Sequence, residues 1–140
     1  MHLEFKIEGG DFTKAGLASS QIKKMLKQLN VDSQIIKRVV VSIYEAEVNI
    51  VAHAFRGNIY VDIDTHEIRI RLIDEGPGIP DIEQAMQEGF STASPAVREM
   101  GFGAGMGLPN IKKNADQLNI KSEVGKGTEV EIINSIYTEN

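Results

Sequence analysis

The sequence predicts an α+β fold, a two-layer sandwich in which a mixed or antiparallel sheet carries its helices on one face. Short stretches of alternating apolar and polar residues indicate strands near the start, middle and end of the chain. A long segment with an apolar period of about 3.6 residues indicates a core helix between them. The later strands come as hairpins, which favours α+β over alternating βαβ units. With 140 residues, the chain is expected to form a single domain over 1–140.

The first two elements are a strand and a helix. Apolar and charged residues alternate over Leu3–Ile7, which is typical of a strand with one buried face. Asp11 or Thr13 is expected to cap the helix that follows. This helix is predicted to reach about Leu29, and its apolar face is expected to comprise Leu17, Ile22, Met25, Leu26 and Leu29.

The longest predicted element is a second helix. Asp32 or Ser33 is expected to open it, and apolar residues recur at helical spacing from Ile35 to Ala54. Many of these residues are β-branched and have modest helix propensity, so burial is expected to stabilise the helix. Gly57-Asn58 is expected to end it.

The second half of the chain is predicted to hold two hairpins, two helices and a long loop. The predicted strands lie at 59–63, 67–73, 119–124 and 128–134, and the predicted helices at about 82–87 and 109–118. Residues 89–107 are rich in glycine, alanine and serine and show no hydrophobic period. A connection of this length in a small domain is typically a functional lid or disordered.

Composition excludes several classes of function. The chain has 15 Lys and Arg against 20 Asp and Glu, a net charge of −5, which argues against a duplex-DNA binder. The absence of cysteine excludes a disulfide scaffold, a cysteine nucleophile and cysteine-ligated metal sites. No apolar run approaches the roughly 20 residues needed to cross a bilayer, and the first residues lack a signal-peptide pattern. We therefore expect a cytoplasmic protein with neither nucleic acid nor membrane as a partner.

A polar row lies within the long apolar helix. Glu45, Asn49 and His53 are spaced four residues apart, so their side chains share one face. A solvated helix face is one interpretation of this row. A binding site is the other, because a carboxylate can hold and polarise a water and an amide oxygen suits Mg²⁺.

Glycines cluster at two places where a backbone could approach a ligand. Asp74-x-Gly76-x-Gly78 follows a predicted strand, although such a pattern is also common in simple turns. The second cluster directly precedes a predicted helix, where amide N–H groups and the helix dipole favour an anion. Its alternative interpretation is a flexible loop, and its members are Gly101, Gly103, Gly105 and Gly107.

In this order the motifs resemble the GHKL, or Bergerat-fold, ATPase superfamily, over nearly the whole chain. The motif positions are E-x-x-x-N at 45–49, D-x-G-x-G at 74–78, the glycine-rich segment at 101–107 and Gly-Thr at 127–128. Within that superfamily, residues 42–55 resemble the corresponding helix of anti-sigma-factor serine kinases and stress-switch kinases.

The resemblance implies a protein serine/threonine kinase that uses ATP and Mg²⁺. Such a kinase regulates a bacterial sigma-factor or stress-signalling partner switch by phosphorylating a STAS-domain protein, and some members also bind a sigma factor or a phosphatase. It also implies a homodimer formed through the first strand and helix. The alternative function is an ATP-gated binding module that sequesters a partner with little kinase turnover. A histidine kinase catalytic domain and a domain that binds no nucleotide are less favoured hypotheses.

The resemblance also implies roles for individual residues. Glu45 would be the catalytic base that receives the proton of the partner's hydroxyl, and Asn49 would coordinate Mg²⁺. Asp74 would accept a hydrogen bond from the adenine amino group, with Thr128 assisting through a water. His53 matches a histidine of this branch but receives no role.

The remaining implied contacts to the nucleotide come from glycines and their neighbours. Gly76 and Gly78 would let the backbone approach the base. Residues of the glycine-rich segment and its neighbour would surround the phosphates. They are Gly103, Gly105, Met106, Gly107 and Leu108. Either Arg98 or Lys112 is a candidate for approaching the phosphates.

Overall fold

A computed structural model describes residues 1–87 and 107–136 and contains one antiparallel sheet. The five strands lie in the order β1-β2-β3-β5-β4, and each neighbouring pair is antiparallel. The strands are β1 (His2–Glu8), β2 (Arg56–Ile63), β3 (Glu67–Glu75), β4 (Gln117–Glu123) and β5 (Gly127–Ser135). The helices are α1 (Leu17–Gln28), α2 (Ser33–His53), α3 (Ile82–Ala85) and α4 (Gly107–Asn114).

The core lies between one face of the sheet and the helices. Inward-facing residues of the strands are buried with the apolar faces of α1, α2 and α4, while the alternate strand residues point outward. Ile59 on β2 pairs with Leu72 on β3, and Val61 with Ile70, so apolar residues align across the strands. This arrangement confirms the predicted α+β sandwich and settles its sheet as antiparallel.

The predicted first helix is interrupted. Phe12–Lys14 forms a single 3₁₀ turn, and α1 begins only at Leu17, after Gly16. Gly16 has a left-handed φ of 97°, which a continuous right-handed helix cannot contain. Leu17 and Leu29 are exposed, so the expectation that both lie on the buried face was wrong.

The start of α2 was predicted correctly, and its end was not. Asp32 caps the helix, because its carboxylate accepts the backbone N–H of Gln34. The helix ends at His53, before Gly57, which lies in β2 and pairs with Asp74. A Cβ placed on Gly57 would lie 3.1 Å from the Ile50 side chain, so this glycine permits close helix–strand contact instead of ending a helix.

The helix that follows the glycine-rich segment is shorter than expected. It ends at Asn114, and Leu118 belongs to β4, where it pairs with Ile132 of β5. Backbone pairing with β5 accounts for the earlier end, since residues in the sheet cannot continue the helix. The predicted lid up to residue 106, including Gly101 and Arg98, lies outside the described residues.

No helix within residues 1–87 and 107–136 is both long enough and apolar enough to cross a membrane.

Candidate functional site

One turn of α4 packs against one turn of α2 at the polar row. Glu45 and Asn49 lie one helical turn apart on α2. A Cβ placed on Gly107 would lie 3.0 Å from Asn49 Oδ1, so the glycine lets the start of α4 approach the carboxamide. One turn later, Asn110 Nδ2 donates to Glu45 Oε1 over 3.4 Å. The carboxylate and the carboxamide therefore share one wall of the site.

Asp74 lies near the end of β3, beside β5. Its Oδ1 accepts the backbone N–H of Thr128 over 3.0 Å. Burial raises the pKa of the Asp74 carboxyl above its usual value, and the Thr128 hydrogen bond opposes this shift only in part. Gly127 lies so close to the Asp74 carbonyl that any side chain there would collide with it. Asp74 is thus a half-buried carboxylate held by the neighbouring strand.

The turn after Asp74 is tied to the β4–β5 turn. Gly76 N–H donates to the Lys126 carbonyl over 3.0 Å, and Gly125 N–H donates to the Pro77 carbonyl over 2.9 Å. Gly78 has a φ of 77°, and a side chain there would collide with the Glu123 carbonyl. Glycine at 78 is therefore required by both conformation and space.

Two hydroxyl groups on the neighbouring strands stabilise this turn. Ser122 Oγ accepts the Ile79 N–H over 2.7 Å and lies 2.9 Å from Thr128 Oγ1, with which it shares a hydrogen bond. The side chain of Thr128 is buried. The hydroxyls of β4 and β5 thus hold the turn that carries Gly76 and Gly78.

The end of α2 reaches this turn. A Cβ on Gly76 would lie 3.0 Å from Ala54 Cα, so the turn packs directly on the residue after the helix. His53 is half-buried, and burial lowers its pKa, which favours the neutral imidazole. Helix α2 thus carries Glu45 and Asn49 on one face, and its C-terminal end packs on the turn that follows Asp74.

Most of the sequence-predicted site residues lie in the described part of the chain. They are Glu45, Asn49, Asp74, Gly76, Gly78, Gly107, Leu108 and Thr128. Leu108 is buried in the hydrophobic core, and its proposed contact with the phosphates stays a prediction. Gly103, Gly105 and Met106 lie outside the described residues, and the roles proposed for them stay predictions.

The sequence motifs do not identify one buried carboxylate, that of Glu47. Glu47 is 0% exposed and accepts three backbone N–H groups at the start of α1, those of Gly16, Ala18 and Ser19. A signal was present: Glu47 lies four residues after Ile43 and three before Ile50, on the apolar face of α2. Asn110 was also not predicted as a site residue, because no local sequence pattern indicates it.

Comparison with known proteins decides the family. Residues 32–136 match the sequence profile described as histidine kinase-, DNA gyrase B-, and HSP90-like ATPase. The chain belongs to this ATPase family. The matched region contains every described residue of the candidate site and confirms the GHKL resemblance drawn from the motifs.

Curated relatives specify the branch. The chain is 33% identical over 115 residues to the serine/threonine-protein kinase RsbT of Bacillus subtilis, covering 79% of this chain and 80% of the relative. It is 30% identical over 138 residues to the anti-sigma F factor of Geobacillus stearothermophilus, covering 93% of this chain and 88% of the relative. The family member described here therefore falls in the branch of anti-sigma-factor and switch kinases.

Solved structures share the fold at low identity. The RsbU and RsbW domains of a Mycobacterium tuberculosis protein align with a TM-score of 0.63 at 15% identity, over 95% of this chain and 32% of that longer chain. The mycobacterial sensor histidine kinase MprB aligns with a TM-score of 0.53 at 17% identity, over 96% of this chain and 97% of its own. These likenesses support the fold alone.

Proposed function

We propose that this family member is an ATP-dependent protein serine/threonine kinase of a bacterial sigma-factor or stress-signalling partner switch, formed as a single domain. The observation that carries the proposal is the wall formed by α2 and α4, where Glu45, Asn49 and Gly107 meet. Kinase and anti-sigma relatives at 33% and 30% identity support the same branch of function.

The donor set fits ATP with Mg²⁺. Asn49 Oδ1 is a hard oxygen ligand, and Gly107 leaves space beside it at the start of α4. Asp74 is a half-buried acceptor suited to the adenine amino group, next to the backbone of Gly76 and Gly78. When bound, ATP would supply the phosphoryl group, and Mg²⁺ would offset the negative charge of the phosphates.

Glu45 is proposed as the general base. Its carboxylate takes the proton of a serine or threonine hydroxyl as that oxygen bonds to the γ-phosphorus and the bond to ADP breaks. The acceptor is proposed to lie on a STAS-domain protein. A sigma factor and a phosphatase are further proposed partners, and β1 at the sheet edge supports a homodimer.

Labelling of STAS-domain proteins tests the kinase. The purified chain is incubated with Mg²⁺ and γ-labelled ATP and with each STAS-domain protein of its own genome. We expect one of them to be labelled, and Glu45→Gln to lower the rate by about 10²- to 10⁴-fold because the general base is lost. Glu83→Gln, an exposed carboxylate on α3, is the matched control and should label at the wild-type rate.

Calorimetry of ATP binding separates the possible failures. Glu45→Gln should bind Mg-ATP as the wild type does, while Asn49→Ala should lose the Mg²⁺-dependent part of the binding. Equal labelling by Glu45→Gln and wild type would contradict the proposed base.

The relative named as an anti-sigma factor favours an ATP-gated binding module as a second candidate function. Pull-down of partners in ATP and in ADP tests it. Partner capture that needs ATP but produces no label would favour this module over the kinase, and capture in ATP and ADP alike would exclude it.

A further inference from the structure

Helix α4 brings to Glu45 a side chain that the proposed catalytic roles do not use. Asn110 Nδ2 donates to Glu45 Oε1 over 3.4 Å, and both side chains are half-buried. Hydrogen bonds of catalytic groups are often long without ligands and shorten when the reactants bind. We propose that Asn110 is a positioning residue that holds the Glu45 carboxylate in one orientation for proton transfer. The inference rests on the proposed role of Glu45 as the base.

Asn110 is itself held by a chain of amide hydrogen bonds that ends in the sheet. Its carbonyl accepts Asn114 Nδ2 over 2.8 Å, and the Asn114 carbonyl accepts Asn134 Nδ2 over 2.9 Å. Asn134 lies in β5 and is 1% exposed. These two hydrogen bonds therefore tie α4 to strand β5.

A second set of contacts links the segment after α4 to α2 and β5. Asp116, two residues after α4, pairs with Arg38 of α2 over 3.1 Å and accepts the Ser135 N–H of β5 over 2.7 Å. At the other end of α4, Gly107 packs on Asn49. Because both ends of α4 are anchored, the Asn110 amide meets Glu45 at a defined place.

A carboxamide suits this role chemically. A carboxylate with no fixed donor samples several rotamers, and only some of them face a substrate hydroxyl. A lysine or arginine would also fix it, but a cation stabilises the charged form strongly and so weakens a base. A neutral amide also orients the carboxylate, but it stabilises the charged form less and therefore weakens the base less.

Kinetics of Asn110→Leu test the role, because leucine has similar size and no donor. We expect the kcat for phosphorylating the STAS-domain protein to fall roughly tenfold, with KM for ATP unchanged within about twofold. Asn110→Gln should recover part of kcat. The control is Asn119→Leu, which removes an amide that donates to Glu131 over 3.0 Å on the outer face of the sheet; its kcat should match the wild type.

Two kinetic results would overturn the role. An unchanged kcat in Asn110→Leu would show that Glu45 needs no such partner. A tenfold loss of ATP affinity with unchanged kcat would place Asn110 on the nucleotide instead. Thermal unfolding of each variant confirms that it is folded, and Asn110→Ser replaces Asn110→Leu if the latter is not.

A spectroscopic readout tests the contact without turnover. The side-chain amide signals of Asn110, assigned by their absence in Asn110→Leu, should shift in Glu45→Ala and stay unchanged in Glu83→Gln. No shift in Glu45→Ala would overturn the contact. If the Asn110 signals shift in Glu45→Ala but the wild-type protein labels no STAS-domain protein, the contact is established, while the kinase function, and with it the role in transfer, is refuted.

Discussion

At the scale of single residues, Asp74 combines a cost to stability with a proposed contact to adenine. Its carboxyl is half-buried, and the Thr128 N–H is its hydrogen-bond donor within the described residues. Burial raises its pKa from the usual 3.8, so the folded chain loses this proton less readily than the unfolded chain. The stability that the protonated form contributes is complete below 3.8 and is lost as pH rises through the raised folded pKa.

Replacement by asparagine separates the two effects. In Asp74→Asn the amide oxygen still accepts the Thr128 N–H, but no charge develops. The free energy of unfolding of the variant, relative to wild type, should therefore increase from about pH 3 to about pH 7 in urea titrations. ATP affinity should fall about tenfold or more, because the amide NH₂ faces a donor.

Glu75→Gln is the control for ATP binding, because this exposed carboxylate is the next residue of β3. It should bind ATP as the wild type does. Wild-type ATP affinity in Asp74→Asn would remove Asp74 from the proposed adenine contact.

At the scale of elements, Glu47 joins α2 to the start of α1. The first backbone N–H groups of a helix have no partner within it, and α1 lacks a capping side chain at Gly16. Glu47, 31 positions later in the chain than Gly16, accepts three of the N–H groups in this region. The break between the 3₁₀ turn and α1 is thus stabilised by a residue on the opposite side of α2 from Glu45.

Substitution of Glu47 should therefore destabilise the fold without removing a catalytic group. We expect Glu47→Ala to lower the free energy of unfolding by about 3 kcal/mol, because buried donors lose their acceptor. Glu47→Gln should lose less, since its amide oxygen still accepts. Urea denaturation measures both, and Glu83→Ala, exposed on α3, should change stability by less than about 0.5 kcal/mol. A Glu47→Ala protein as stable as this control would show that α1 does not depend on the carboxylate.

At the scale of the whole molecule, the two faces of the sheet have different roles. The inner face forms one core with α1, α2 and α4. On the outer face, Arg71 lies 5.5 Å over the ring of Tyr60, and Arg69 pairs with Glu131 over 3.8 Å. Such exposed contacts contribute little to stability, so the inner face should dominate it.

Two isoleucines of β3 test this difference. Ile70 is 0% exposed in the core, and Ile73 is 38% exposed on the outer face. Ile70→Ala should lower the free energy of unfolding by about 2–5 kcal/mol through lost burial and a cavity. Ile73→Ala should cost about 0.5 kcal/mol or less in the same urea titration. Similar losses in the two variants would contradict the one-sided core.

Local patterns in the sequence were enough for the order and type of most elements. Alternation over two residues and recurrence near 3.6 residues are properties of neighbouring positions, so β1, α2 and both hairpins were predictable. The motifs at 45–49, 74–78 and 127–128 were likewise readable, because each is a short run of residues. The family followed from their order and is confirmed by the match over 32–136.

Tertiary structure alone decided where several elements end and which polar groups meet. Helix α2 ends at His53 because the chain then pairs in β2. Helix α1 begins late because Gly16 takes a left-handed φ and Glu47 accepts the N–H groups of Gly16, Ala18 and Ser19. The contact between Asn110 and Glu45 joins residues 65 positions apart. Such contacts depend on packing between distant segments, and no local period or spacing encodes them.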